Sequence, residues 1–244
     1  MSKEKSSDVL EISVPKFLIP VLGILVLGLI AYGVFSMNGE TTEGEGEEVL
    51  GEVTFSDPGI VPVSVNVDLE SGAYLGDSDD AKYAVVEFSD YKCPFCGMYS
   101  KDTFPRVKSE YLDNNDFVYV FKEVAIMSPE SMTLSVLGRC VLENEGEEAY
   151  LSYRSKAYDV SFSTDEELLE AMDIDSNDVK SCFEDLEYES NIENNSTISQ
   201  QAGIQGVPGF VIGELSEDGS VEGYLIPGAY PFEMFEEVIG VLMN

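Results

Sequence analysis

The chain contains no histidine, and its 244 residues hold only 13 lysines and arginines against 47 acids. Without histidine and with just four cysteines, a zinc site would need two close cysteine pairs, and only one close pair is present, so zinc is a minor reading. The shortage of positive charge leaves a formal net charge of -34. That excludes nucleic-acid binding, which depends on Lys and Arg neutralising phosphate. Basic residues are missing altogether between Lys16 and Lys82, and no internal repeat is visible. Against these gaps stand a hydrophobic content of 44% and an aromatic content of 11%, ordinary for a protein with a real core. The length suits one domain with extras, or two small ones.

The excess negative charge lies entirely after residue 37. One reading is adaptation to high salt, where dense carboxylates stay hydrated and counterions screen their repulsion; the other is simply an acidic surface. The size of the imbalance favours the first, which predicts that refolding improves in molar salt.

Residues 17–35 form a run without a charge (FLIPVLGILVLGLIAYGVF). At ~1.5 Å per residue it nearly crosses a hydrocarbon layer of about 30 Å. Lys3, Lys5 and Lys16 precede it, so the positive-inside rule puts residues 1–16 in the cytoplasm and everything after the span outside. The competing reading is a cleaved signal peptide, but the run exceeds the usual 7–15-residue apolar core and no convincing small-x-small cleavage site is present. A signal anchor is therefore expected. Residues 36–69 read as an acidic linker and lead-in, whose Gly- and Glu-rich first part has self-repelling charges that favour an extended tether.

The globular part begins with residues 83–89 (YAVVEFS), a β-rich run suited to a strand buried on both faces. Residues 94–112 read as a helix with Pro94 in its first turn and a kink at Pro105. A second buried strand follows over residues 117–124, giving a β-α-β first half over residues 70–127. Residues 128–202 read as helical, with helix starts at Ser128-Pro-Glu and Ser163-Thr-Asp-Glu. Residues 203–244 supply two strands around the acidic turn 216–219 and a closing amphipathic helix.

Cys93-Pro94-Phe95-Cys96 sits where a buried strand gives way to a helix. Unpaired N–H groups and the helix dipole at that point stabilise a thiolate on Cys93. The spacing lets the two sulfurs form an unstrained disulfide. Cys93 is thus the predicted nucleophile and Cys96, one turn deeper, the resolving thiol. A purely structural disulfide is the bland alternative.

The run from Ala84 to Cys96 (AVVEFSDYKCPFC) closely resembles the active-site region of DsbA-like thiol–disulfide oxidoreductases of the thioredoxin superfamily. Residues 74–80 (YLGDSDD) resemble the family's lead-in, and residues 203–211 (GIQGVPGFV) resemble its cis-proline segment. The likeness spans about residues 70–244. It implies a thioredoxin-like α/β fold, β-α-β … β-β-α with an inserted helical subdomain, here preceded by one N-terminal transmembrane helix. It also implies that Pro208 is a cis-proline facing the disulfide, with Val207 offering backbone hydrogen bonds to a bound peptide beside Pro94 and Phe95. Glu87 resembles the family's proton acceptor for the second thiol. Burial would raise its pKa, and Lys122, also expected to be buried, is a possible relay partner; a structural ion pair is the alternative. Strongly oxidising relatives carry His at the position of Phe95, so a weaker oxidant is expected here.

Cys140 and Cys182 both fall in the helical segment. An even cysteine count outside the cytoplasm favours a structural disulfide between them over two buried thiols. Asn194 and Asn195 begin overlapping glycosylation sequons, a motif common by chance. The dithiol is itself the redox group, so no cofactor or metal is called for. The function expected is an extracytoplasmic oxidase of dithiols in exported proteins, regenerated by a membrane redox partner. A reductase or isomerase with the same site, and a non-catalytic peptide-binding chaperone, are the alternatives.

Overall fold

The computed structural model describes residues 55–67, 73–76, 81–112, 116–185 and 188–244. The apolar run 17–35, the tether after it and most of the family's lead-in lie outside them. Among the described residues no helix is long and apolar enough to cross a membrane.

Six strands form one sheet in the order β1-β6-β5-β3-β4-β2. The central strand β3 (Tyr83–Ser89) runs parallel to β4 (Phe117–Glu123) on one side and antiparallel to β5 (Gly209–Leu215) on the other. β6 (Ser220–Ile226) pairs antiparallel with β5. The edges are β1 (Val61–Asn66), antiparallel to β6, and the three-residue β2 (Ala73–Leu75), antiparallel to β4. Residues 61–66 therefore belong to the sheet rather than to a linker. Their alternating sequence VPVSVN carries Pro62, which an edge strand tolerates because it can turn its missing N–H away from the ladder.

The β3–β4 crossover contains α1 (Pro94–Asp102) and α2 (Phe104–Tyr111). The expected Pro105 kink takes the form of a break at Thr103, whose φ/ψ of -108°/-46° lets Pro105 enter the first turn of a new helix. The helical insert comprises α3 (Pro129–Ala157), α4 (Asp165–Ala171), α5 (Asn177–Glu184) and α6 (Glu189–Gln201). α3 is interrupted at Gly146, whose φ of 84° is a left-handed value that glycine adopts at little cost. α7 (Phe232–Leu242) closes the chain.

Strand parity divides the core. Val85, Tyr119, Phe121, Phe210 and Ile212 point to the face covered by α1, α2 and α7, while Ala84, Val86, Phe88, Val118 and Val120 pack toward Ala202 and Ile204 behind α6. A separate cluster fills the insert, with Leu134, Leu137, Leu168, Val179 and Phe183 among its members. Inside it Cys140 and Cys182 are joined as a disulfide with a Cα–Cα distance of 5.8 Å. Asn195 is buried, and its side-chain amide donates to the Glu123 carbonyl at 2.9 Å, so that sequon presents no accessible acceptor.

Candidate active site

β3 ends at Ser89, and Asp90 then organises the turn that carries the dithiol. Its carboxylate is fully buried and accepts from the backbone N–H groups of Lys92 (2.8 Å), Ile126 (2.9 Å) and Met127 (2.9 Å) and from the Ser131 hydroxyl (2.8 Å). The Asp90 carbonyl accepts from the Cys93 N–H at 3.0 Å. One side chain thus fixes the turn to the β4–α3 connection, which brings the insert up to the edge of the site. Nothing in the sequence pattern marks Asp90 as a hub, because its partners other than Lys92 lie 36 to 41 residues away.

Cys93 is the N-cap of α1 in extended conformation, and Pro94 occupies the first turn. Pro94 has no N–H to leave unpaired there, so the helix starts at no cost just after the nucleophile. Cys93 and Cys96 are free thiols, both buried. They differ sharply in acidity. The hydrogen bond from the Cys96 thiol, helped by the backbone N–H groups of Cys96 and Phe95, brings Cys93 down to about 6 against burial and the Asp90 charge. Burial, and then the same bond to Cys93, pushes Cys96 far up, with the Glu87 charge adding to the effect. One sulfur is therefore a ready thiolate and its neighbour a protected thiol.

The Val207–Pro208 peptide bond is cis. The Cys93 thiol donates to the Val207 carbonyl at 3.3 Å, across 114 residues of sequence. Gly203-Ile204-Gln205-Gly206 and Val207 line one wall of a cavity of about 580 Å³, with Val61, Leu225 and Pro227 opposite. A second cavity, of about 450 Å³, lies on the other side of Cys93 between Lys92, Lys101 and Tyr158. Around the thiol the surface is apolar: Phe95 is 62% exposed, and Met98, Ile126 and Met127 are exposed with it.

Beneath the dithiol, Glu87 is completely buried on the α1 side of the sheet. Arg154 of α3 donates through Nη2 to both carboxylate oxygens at 2.8 and 2.9 Å, and the Tyr119 hydroxyl donates to Oε2 at 2.7 Å. The Tyr119 proton is thus engaged, so the 2.9 Å bond to Tyr99 has Tyr99 as donor. Lys122 does not share this face. Its register partner on β3 is Phe88, while Glu87 pairs with Phe121, and the two-residue period sends Lys122 to the opposite side of the sheet. The ion-pair partner of Glu87 comes instead from the insert. A cue in the sequence is Arg154 at helical spacing from Tyr150 and Ala157, both buried. Among the described residues no cluster of side chains could hold a metal ion.

A parallel β-α-β unit with a C-x-x-C at its strand–helix junction, facing a cis-proline on an antiparallel β-β-α unit, defines a thioredoxin-fold dithiol protein. Comparison with known proteins agrees. A family profile described as Thioredoxin matches residues 69–222. Disulfide bond formation protein D of Bacillus subtilis is 25% identical over 163 residues, covering 63% of this chain and 72% of that protein. A putative protein-disulfide oxidoreductase of Rickettsia bellii is 36% identical over 78 residues, a stretch that is 32% of this chain and 29% of the relative. In structure the chain is similar to oxidised BdbD from Bacillus subtilis, with TM-score 0.58 at 23% identity over 75% of this chain and 99% of that one. Wolbachia pipientis alpha-DsbA1 aligns with TM-score 0.58 at 20% identity over 72% of this chain and 92% of that one. The chain belongs to the thioredoxin family, as one of its DsbA-like thiol–disulfide oxidoreductases.

Proposed function

We propose that this protein oxidises dithiols of exported proteins from outside the cytoplasm, held to the membrane by residues 17–35 and regenerated by a membrane redox partner. The observation that carries the chemistry is the acidity split within one C-x-x-C. Cys93 is brought to about 6, while burial pushes Cys96 far up. A substrate thiolate attacks Cys93 Sγ of the oxidised pair, the Cys93–Cys96 bond breaks, and Cys96 leaves as it gains a proton. A second substrate thiolate then attacks the substrate sulfur of the mixed disulfide, releasing Cys93 as the stable thiolate. Glu87, under Cys96, is the group assigned to pass that proton, and Val207 and Pro208 hold the substrate backbone beside Phe95 and Pro94. The name of one relative, a disulfide bond formation protein, supports the direction.

The test uses the full-length chain. The oxidised protein should convert a reduced two-cysteine peptide to its disulfide while gaining two thiols of its own. Cys93→Ser should abolish this, and Cys96→Ser, mixed as the free thiol with the oxidised peptide, should form a mixed disulfide as one peptide sulfur leaves as a thiol, with no Cys96 to resolve it. A reduction potential near -270 mV would reverse the assignment to a reductase; one of about -120 to -180 mV supports the oxidase. For the location, a membrane-impermeant thiol reagent on intact cells should label Cys93, and labelling only after lysis would refute it.

A further inference from the structure

The last two turns of α3 reach out of the insert and into the core beneath the dithiol. Tyr150 and Arg154, four residues apart on one face of that helix, meet the two buried carboxylates that project from adjacent strands. The Tyr150 hydroxyl donates to Glu123 on β4, and Arg154 donates to Glu87 on β3. The guanidinium carbon lies 4.4 Å from the centre of the Phe121 ring, which sits between the two acids on β4, and 5.5 Å from that of Tyr158. Arg154 is 1% exposed, and its Nε and Nη1 have no hydrogen-bond partner among the described residues. A buried cation left with incomplete hydrogen bonding is costly, so its place here is explained by the charge it faces rather than by packing.

We propose that Arg154 is a positioning residue for the dithiol–disulfide exchange, holding the Glu87 carboxylate charged and fixed beneath Cys96 so that the resolving thiol can give up its proton. This rests on the reading of Glu87 as the Cys96 proton acceptor, and it makes the helical insert a working part of the site. The geometry fits. Tyr99, one turn after Cys96 on the same helix, donates to Tyr119, which donates to Glu87, so the carboxylate is linked to the helix that carries the thiol.

The titratable groups around this corner are few. Cys96 and Tyr99 face it from α1, Tyr119 and Glu123 from β4, Tyr150 and Tyr158 from α3 and its C-cap, and Tyr91 from the turn, where Asp90 is held by four donors. Burial raises the phenols Tyr91, Tyr99, Tyr119, Tyr150 and Tyr158, so none of them ionises between pH 5 and 9.

The reduced full-length chain is mixed with oxidised glutathione, and samples are quenched in acid and weighed by mass spectrometry. In the first step Cys93 attacks the glutathione disulfide, and one glutathione leaves as a thiolate that takes a proton. In the second, Cys96 gives its proton to Glu87 and its sulfur attacks Cys93 Sγ; the Cys93–glutathione bond breaks and the second glutathione leaves. Two electrons pass from the dithiol to glutathione. Because Cys93 is capped in the adduct, the pH profile of the second step reports the Cys96 relay alone. Arg154→Met should slow the second step about tenfold or more at pH 7 and move its rising limb to higher pH, with the first step changed by less than about twofold. Arg154→Lys, which restores the charge with a single ammonium, should recover part of the rate and return the profile toward that of the wild type. A folded Arg154→Met chain with the wild-type second-step profile overturns the proposal. Should Arg154→Met fail to fold, the neutral Arg154→Gln takes its place, and a folded Arg154→Gln chain with the wild-type second-step profile overturns it equally. A wild-type chain that never forms the Cys93–glutathione adduct would instead overturn the functional reading, and this inference with it.

Discussion

The acidity of Cys93 sets how the redox equilibrium must respond to pH. A thiol at about 6 is half thiolate at pH 6 and about nine-tenths thiolate at pH 7, whereas the ordinary thiol is almost wholly protonated there. The disulfide form has no such group. Ionisation therefore stabilises the reduced form by about tenfold at pH 7, which for two electrons raises the potential by about 30 mV. Cys96, pushed far up, stays protonated throughout and adds nothing. The constant for reduction by glutathione should change by less than about twofold from pH 5 to 6, then rise about sevenfold from pH 6.5 to 7.5, before glutathione itself ionises. Equilibration in glutathione buffers, acid quench and a mass-tag count of protein thiols measures it. Linkage gives the same sign for stability. Because the folded value lies below the unfolded one, the contribution is complete above the unfolded value of 9.0 and is lost as pH falls through about 6. The reduced form should thus gain in melting temperature relative to the oxidised form between pH 6 and 9. A constant that stays flat through pH 7.5 would refute the account of Cys93.

Replacing the exposed Phe95 with His would place a polar, partly charged ring beside the Cys93 thiolate, and the potential should rise by about 30 mV or more; an unchanged potential sinks the argument. The Cys140–Cys182 bond closes a loop of 42 residues, so the double Cys→Ala variant should lose about 4 kcal/mol in urea unfolding by the loop-entropy relation. A loss under about 1 kcal/mol would show that the insert does not need the clamp. Gly213 and Gly223 face each other across β5 and β6, and a Cβ at Gly223 would lie 2.0 Å from the Ile212 carbonyl oxygen and 2.4 Å from the Gly213 Cα. Gly223→Ala should therefore cost at least about 1–3 kcal/mol, read as a lower melting temperature, and a neutral result would mean that the two strands can separate locally.

The parts of this fold that could be read from the sequence are those fixed by neighbours in the chain. The strand at residues 83–89, the helix start at Pro94 and the caps at Ser128 and Thr164 each follow from a local run of residues. Pro105 announced a break, though not that Thr103 would absorb it. The edge strands escaped notice for opposite reasons: β1 is mostly exposed and carries a proline, and β2 has only three residues. The site divides in the same way. Cys93 and Cys96 are adjacent on one helical turn, whereas Glu87 and Arg154 are 67 residues apart. Lys122 was a reasonable partner for Glu87 only while the β3–β4 register was open. Pairing Glu87 with Phe121 leaves Lys122 one residue out of phase, and a single residue is enough to change faces.

That parity also explains why the insert is built into the catalytic half of the molecule. Glu87 lies buried on the α1 face of β3, where the sheet supplies Tyr119, Phe121, Phe210 and Ile212. None of these carries positive charge, and the lysine on the neighbouring strand faces away. A counter-charge has to arrive from outside the sheet, above the gap between β3 and β4, and α3 is the element that passes there after its break at Gly146. Ser131, in the first turn of the same helix, ties it to Asp90 and hence to the backbone of Cys93. One helix therefore touches the Cys93 turn in its first turn and the Glu87 carboxylate in its last, so under the proposed roles of these residues a shift of the insert would alter both steps of the exchange together.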